Sequence, residues 1–260
     1  MAKTIKKLIK HIIQYNIFDY FIPKLRKFYK KIGILEFMDT RFYWVAWRIV
    51  RLAKHMLWRG KVTGVSNIPQ KGAAIFLPNH SHALDPFLSA SNVPRKVHWV
   101  SKLENYKYPL FRPILQCTGS IPLRRGQSDQ NAIRLIKNEL NRGEIVGMFP
   151  EGTRTKDGQL RRFHTGAARL CIEYGIPYIP VGIRNSFKLE VGRNVEVHIG
   201  KPRYPDPSWK LNYENAKKFT DLMRKDIAAL VHNEEPKSIR IYEHEEIFPV
   251  HIKKSPTMEN

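Results

Sequence analysis

The sequence predicts an α/β protein, a central sheet flanked by helices, behind an N-terminal hairpin of basic amphipathic helices. Three observations predict it. From Lys61 onward short apolar runs alternate with stretches of helical periodicity. Two of those runs end in loops rich in histidine, carboxylates and arginine. The residues before Lys61 instead alternate cations with apolar and aromatic side chains at helical spacing. The resulting division is a helical arm over residues 1–60, a folded domain over 61–232 and a tail over 233–260.

In the arm, Leu8, Ile9, Ile12, Ile13, Ile17, Phe18, Phe21 and Ile22 form the apolar side of a first helix, which Pro23 is placed to break or kink. Gly33, and then Asp39-Thr40, mark the break between two helices. The second helix sets a broad apolar face, Phe42, Trp44, Val45, Trp47, Ile49, Val50, Leu52, Ala53, Met56, Leu57 and Trp58, against Arg48, Arg51, Lys54 and Arg59. Such a face, rich in tryptophan, suits a membrane interface. The plainer alternative is a helix packed on its own domain with its polar side in water. No apolar stretch approaches the ~20 residues that a spanning helix needs. The basic N-terminus, interrupted by Lys10, His11 and Asp19, makes a poor signal peptide.

The domain's strand candidates are Lys61–Val65, Ala73–Leu77, Val97–Val100, Gly119–Pro122, Ile145–Phe149, Tyr178–Ile183 and Val195–Ile199. Its helix candidates are Pro86–Ser91, Asp129–Asn141, Thr165–Tyr174 and Asn212–His232. Ser128-Asp129 caps the second of these helices and Gly143 follows its end. The tail mixes both signs of charge with scattered prolines and reads as loosely attached.

Lys+Arg of 45 against Asp+Glu of 23 gives a formal charge of +22. The partners are therefore anionic: nucleic acid, an acidic membrane surface or phosphorylated small molecules. Cys117 and Cys171 show neither CxxC spacing nor the density of a disulfide scaffold, which fits core packing or a reducing compartment. His80-Ser81-His82 alone lacks zinc-site spacing, so no metal is implied, and Walker and Rossmann glycine patterns are absent.

The segment Asn79-His80-Ser81-His82-Ala83-Leu84-Asp85-Pro86 follows one strand candidate. A histidine and an aspartate five apart are not a helical pair, so the chain must turn back if they are to touch. In that geometry Asp85 fixes the imidazole tautomer and leaves the other ring nitrogen of His80 free as a base. Taken alone, a His-x4-Asp spacing is weak evidence that arises often by chance, and His80 is more readily a buried histidine bonded to backbone, with Asp85 a helix cap before proline. A second segment, Phe149-Pro150-Glu151-Gly152-Thr153-Arg154-Thr155, follows another strand candidate. There Gly152 lets backbone approach a ligand while Glu151 and Arg154, of opposite charge, fix the loop's shape. Two further blocks are Gly119-Ser120-Ile121-Pro122-Leu123-Arg124-Arg125-Gly126 and Ile176-Pro177-Tyr178-Ile179-Pro180-Val181-Gly182-Ile183.

These four blocks, in this order over roughly residues 61–200, resemble the glycerolipid acyltransferase family, whose simplest members acylate 1-acylglycerol-3-phosphate. The resemblance implies a mixed central sheet flanked by helices. It implies that His80 is the general base and Asp85 its orienting acid, with His82 dispensable. Lys102, Arg124, Glu151, Gly152, Thr153 and Arg154 would then bind the acyl acceptor, although many relatives have an aspartate where this chain has Leu123. The acyl donor would be acyl-CoA or acyl carrier protein, with no cofactor, and the product phosphatidic acid. The resemblance further implies an enzyme on the cytoplasmic face of an anionic membrane, held peripherally or monotopically. Glycerol 3-phosphate or another lysophospholipid stays open as acyl acceptor. A basic nucleic-acid-binding protein is the distant alternative, since it would need neither His80 nor Asp85. A non-catalytic scaffold would not need to keep His80, Asp85, Glu151 and Arg154 intact.

Overall fold

A computed structural model describes residues 17–108, 111–126 and 129–232. Two helices lead, α1 (Ile17–Lys31) and α2 (Leu35–Trp58). Gly33 turns the chain between them at a φ of 77°, a left-handed conformation without steric penalty for glycine. Helix α1 does not stop at Pro23; it runs through that position, forgoing one i→i−4 bond. Asp39-Thr40 is not part of the break either. Asp39 lies inside α2 and its carboxylate pairs with Arg26 of α1, so it joins the two helices.

The α/β body follows as β1 (Lys61–Thr63), β2 (Ala74–Pro78), α3 (Asp85–Ala90), β3 (Val97–Lys102), α4 (Phe111–Cys117), β4 (Ile121–Leu123), α5 (Gln130–Asn141), β5 (Ile145–Gly147), α6 (Gly166–Tyr174), β6 (Tyr178–Arg184), β7 (Glu196–Ile199) and α7 (Tyr213–His232). Asp129 caps α5, its side chain accepting from the Ala132 N–H. The seven strands lie in the order β1-β7-β6-β2-β5-β3-β4. Every neighbouring pair is parallel except β6 and β7, and that reversal makes the sheet mixed. The Ile145–Phe149 candidate pairs only as far as Gly147, because the chain then turns into a loop. Helix α4 escapes the sequence because seven residues with an internal proline show too little periodicity.

Strand β2 is buried on both faces, so it reads as a continuous apolar run rather than an alternating one. Ile75 and Leu77 pack with Ile136 of α5, Ala168 of α6 and Phe219 of α7, while Phe76 packs with Leu88 of α3 on the other face. Cys171 belongs to the first cluster; Cys117 is half-buried and its sulfur accepts from Arg26 at 3.2 Å. Strands β2 and β5 are neighbours, with Phe76 opposite Gly147, so their carboxyl ends lie side by side. The helices that follow them cover opposite faces of the sheet. The loops that follow the two strands meet at this sheet end, which is where open α/β sheets place ligands.

Helix α2 docks on the body through polar bonds along its length, with Glu36 pairing with Arg142 near its start and the Leu57 and Trp58 carbonyls accepting from the Gly192 and Val195 N–H groups at its end. The Val97 N–H donates to the Tyr43 hydroxyl at 3.1 Å, the Trp47 indole to the Ala90 carbonyl at 3.0 Å and Lys54 Nζ to Asn92 Oδ1 at 2.6 Å. Away from the body, Phe42, Val45, Ile49, Leu52 and Met56 follow one another at helical spacing and are between 40% and 71% exposed. The single apolar face of the sequence reading is thus two, one packed and one open. Lys54, expected on the basic side, is buried against the body.

Candidate active site

Past β2 the side chain of Asn79 donates to the Ile183 carbonyl at 3.0 Å and accepts from the Ile183 N–H at 2.7 Å. This double bond to β6 fixes where the following loop begins. The chain then turns back on Asp85, fully buried at the start of α3. Asp85 Oδ2 accepts from the Ser81 N–H at 2.6 Å and the His82 N–H at 2.7 Å, and lies 2.9 Å from His80 Nδ1. The turn closes the five-residue separation that a helix leaves open. Pro86 stands in the first turn of α3, where its missing N–H costs nothing. His82 stays with the turn, its Nδ1 accepting from the Leu84 N–H at 3.2 Å. Because a carboxylate only accepts, His80 Nδ1 donates and Nε2 keeps a free lone pair. Asp85 Oδ1 is buried with no hydrogen-bond partner among the described residues, a cost that native structures concentrate at functional sites.

A ladder of rings holds the imidazole plane. Phe149 stacks on His80 at a centroid distance of 3.8 Å, Trp99 stacks on Phe149 at 5.0 Å, and Phe76 meets Trp99 edge-on at 6.0 Å. Gly147 makes room for this ladder, since a Cβ there would lie 2.6 Å from the Trp99 ring. Sequence reasoning named Phe149 only as part of its block and missed Trp99 and Gly147. The available signal was a glycine inside an apolar strand run, which marks a close approach.

Glu151 is 3% exposed. Its Oε1 accepts from the His80 N–H at 2.8 Å and its Oε2 from the Arg161 N–H at 3.1 Å. Burial nevertheless pushes its carboxyl above the usual carboxylate range. The expected bracket of opposite charges does not form: Arg154 is exposed and makes no ion pair with Glu151 among the described residues. Backbone bonds hold the loop instead, from Thr155 N–H to the His80 carbonyl at 2.9 Å and from Gly152 N–H to the Phe149 carbonyl at 3.1 Å. Gly152 has a φ of 68°, and a Cβ on it would meet the His164 ring at 2.9 Å. Thr153 is exposed beside it.

Lys102 and Arg124 stand at the carboxyl ends of the next two strands, β3 and β4, with Lys102 opposite Leu123. Lys102 Nζ lies 3.4 Å from Glu104 Oε1, and the Arg124 N–H donates to Asp129 Oδ2 at 2.8 Å while its side chain is exposed. The structure therefore brings His80, Asp85 and Glu151 into one bonded unit. It sets Arg154, Lys102 and Arg124 along the same sheet end, with no hydrogen bond or ion pair to His80 among the described residues. No group of three or more His, Cys, Asp and Glu side chains among those residues could hold a metal ion. No described helix is long and apolar enough to cross a membrane.

Residues 59–184 match the acyltransferase family model. Over 173 residues the chain is 27% identical to the chloroplastic 1-acyl-sn-glycerol-3-phosphate acyltransferase LPAT1 of Arabidopsis thaliana, covering 62% of this chain and 48% of that one. Over 138 residues it is 28% identical to the lyso-ornithine lipid O-acyltransferase of Pseudomonas aeruginosa, covering 53% and 52%. The chain thus spans about half the length of these curated relatives. Its fold is similar to the crystal structure of the 1-acyl-sn-glycerophosphate acyltransferase PlsC of Thermotoga maritima, with a TM-score of 0.58 over 88% of this chain and 98% of that one at 20% identity.

Proposed function

We propose, from the premise that residues 59–184 are a domain of the acyltransferase family, that the protein moves a fatty acyl group from acyl-CoA or acyl carrier protein to the free hydroxyl of 1-acylglycerol-3-phosphate. The observation that carries this reading is the bond between His80 Nδ1 and Asp85 Oδ2 at 2.9 Å, at the end of a central strand. It leaves Nε2 able to take the hydroxyl proton of the acyl acceptor. The hydroxyl oxygen then attacks the thioester carbonyl, and a tetrahedral intermediate forms. Its collapse breaks the carbon–sulfur bond, and the leaving thiolate takes the proton from His80. No protein nucleophile and no metal enters this scheme.

Asp85 holds the imidazole in one tautomer and stabilises its charged form. Glu151 acts through the two backbone N–H groups that it collects, so it shapes the loop that faces the base. Gly152 and Thr153 form the turn of that loop, and Arg154, Lys102 and Arg124 supply the positive sheet end for the phosphate of the acyl acceptor. The open apolar stripe of α2, rimmed by Arg41, Arg48 and Arg59, supports seating on an anionic membrane surface from the cytoplasmic side without spanning it. The similarity to a lyso-ornithine lipid O-acyltransferase supports a second reading, in which the acyl acceptor is another lysolipid.

The test is thiol release from long-chain acyl-CoA with and without 1-acylglycerol-3-phosphate, for the wild type and His80→Ala. Release that depends on the acyl acceptor should fall by on the order of a thousandfold in the variant, within the roughly 10²–10⁴ that a general base supplies. Equal release by both proteins would refute the mechanism. Release that responds only to another lysolipid would favour the second reading.

A further inference from the structure

A cleft of about 500 Å³ opens between α2, the start of β1 and the turn after α3, and its walls include Arg48, Arg51, Lys54, His55, Trp47 and Asn92. That volume lies within the roughly 300–1,000 Å³ of small-molecule sites. None of its lining residues is acidic. None of Arg48, Arg51, Lys54 and His55 forms an ion pair with a carboxylate among the described residues. Lys54 is 3% exposed, and one neutral partner, Asn92 Oδ1 at 2.6 Å, meets one of its three donors. The Arg51 guanidinium lies over the Trp47 ring, 5.2 Å from its centroid, and adds a like charge beside the buried amine.

A buried charge with no opposite charge is expensive, and a Met or Leu would fill the same space at no electrostatic cost. The arrangement is explained if a counter-charge comes from outside the chain. We infer that this cleft is an anion site for a phosphate group, separate from the His80–Asp85 pair. Two arginines and a lysine lining one cleft suit the several oxygens of a phosphate better than a single carboxylate. Leu52 both lines the cleft and belongs to the exposed stripe of α2, so the mouth of the site meets the surface where lipid headgroups would lie. Phosphate chemistry is common to such headgroups and to soluble phosphate esters, and the experiment has an arm for each.

The full chain is melted in inorganic phosphate and in chloride of equal ionic strength, and separately sedimented with phosphatidylcholine vesicles with and without phosphatidic acid. The proteins are the wild type, Lys54→Met, Arg51→Gln and, to keep the catalytic pair out of the reading, His80→Ala. The wild type and His80→Ala should show a phosphate-dependent rise in Tm. Lys54→Met and Arg51→Gln should lose affinity for phosphate by about tenfold or more, the scale of one charged hydrogen bond. Without phosphate, Lys54→Met should melt at or above the wild-type Tm, which separates loss of the site from loss of the fold. A parallel loss of preference for phosphatidic acid vesicles identifies a lipid headgroup as the ligand; loss of the phosphate shift alone identifies a soluble ester. If both variants keep the wild-type phosphate shift and vesicle preference, the anion binds elsewhere and the cleft is not a site. None of these readouts needs acyl transfer, so the result stands apart from the function proposed above.

Discussion

At the carboxyl ends of β2 and β5 the buried side chains of Asn79, Asp85 and Glu151 each accept from backbone N–H groups, Asp85 Oδ1 alone lacking a partner among the described residues, whereas along α2 apolar side chains face outward and the buried Lys54 amine has one neutral partner. The first region supplies most of its own complement, Asp85 Oδ1 excepted; the second leaves a buried cation without an opposite charge among the described residues. The contrast separates what this fold specifies internally, an imidazole held at a sheet end, from what it leaves to its surroundings.

The strongest way to break the site side of this contrast is Asp85→Asn, which replaces by a neutral amide the carboxylate whose Oδ2 meets two backbone N–H groups and the imidazole, so the negative charge that stabilises a protonated His80 is lost. Turnover should fall by about 10²–10⁴, measured as thiol release dependent on the acyl acceptor. A loss below tenfold would remove Asp85 from its assigned role. On the α2 side, Lys54→Met should stabilise the protein. Burial, reinforced by Arg51, lowers the Lys54 pKa from 10.5 to about 8, so its charged form is disfavoured in the folded state. The folded protein therefore loses stability as pH falls from 10.5 through about 8, and the loss is complete at neutral pH. Urea melts should show the variant gaining about 1–3 kcal/mol at neutral pH and little at high pH. An equal gain at both would mean packing rather than charge.

Phe149→Leu sharpens the comparison, because it keeps apolar volume but removes the ring under His80. It should lower kcat about tenfold at nearly unchanged KM, through a base that is less well aimed. The same substitution made in His80→Ala should have no further effect on kcat, and an additive loss would show that Phe149 acts elsewhere. The smallest effect on the fold belongs to Ile49→Ser, on the open stripe, which should change stability by no more than about 0.5 kcal/mol. It should nonetheless weaken sedimentation with anionic vesicles several-fold, since a large apolar contact with the lipid is lost. Unchanged sedimentation would assign the stripe to something other than a membrane.

Much of the site was legible because its chemistry sits in contiguous segments at strand ends. His80 and Asp85 are five residues apart, and a turn is the one local structure that lets them meet. The sheet was legible from its apolar runs, with ends displaced where pairing stopped early, as at Gly147. The ring ladder was not, because Trp99 and Phe76 come from two strands and Phe149 from the loop after a third, and the order of those strands in the sheet is a tertiary fact. Nor was the environment of Glu151: sequence suggested an ion pair with Arg154, but burial favoured backbone donors that no pattern of side chains announces. Lys54 misled for a related reason. Helical periodicity assigns it to a face, and only the docking of α2 shows that this face is covered.

The bonds from Asn79 to Ile183 and from Glu151 to His80 and Arg161 share one trait: the partner group in each is main chain. Among descendants of this sequence, the side chains at 183 and 161 are therefore free of any need to change in step with positions 79 and 151. A search for correlated substitutions would pass over the contacts that place the His80 loop, while random mutagenesis would find positions 79 and 151 intolerant with no compensating site. Backbone partners make this part of the molecule hard to alter and equally hard to repair by a second mutation.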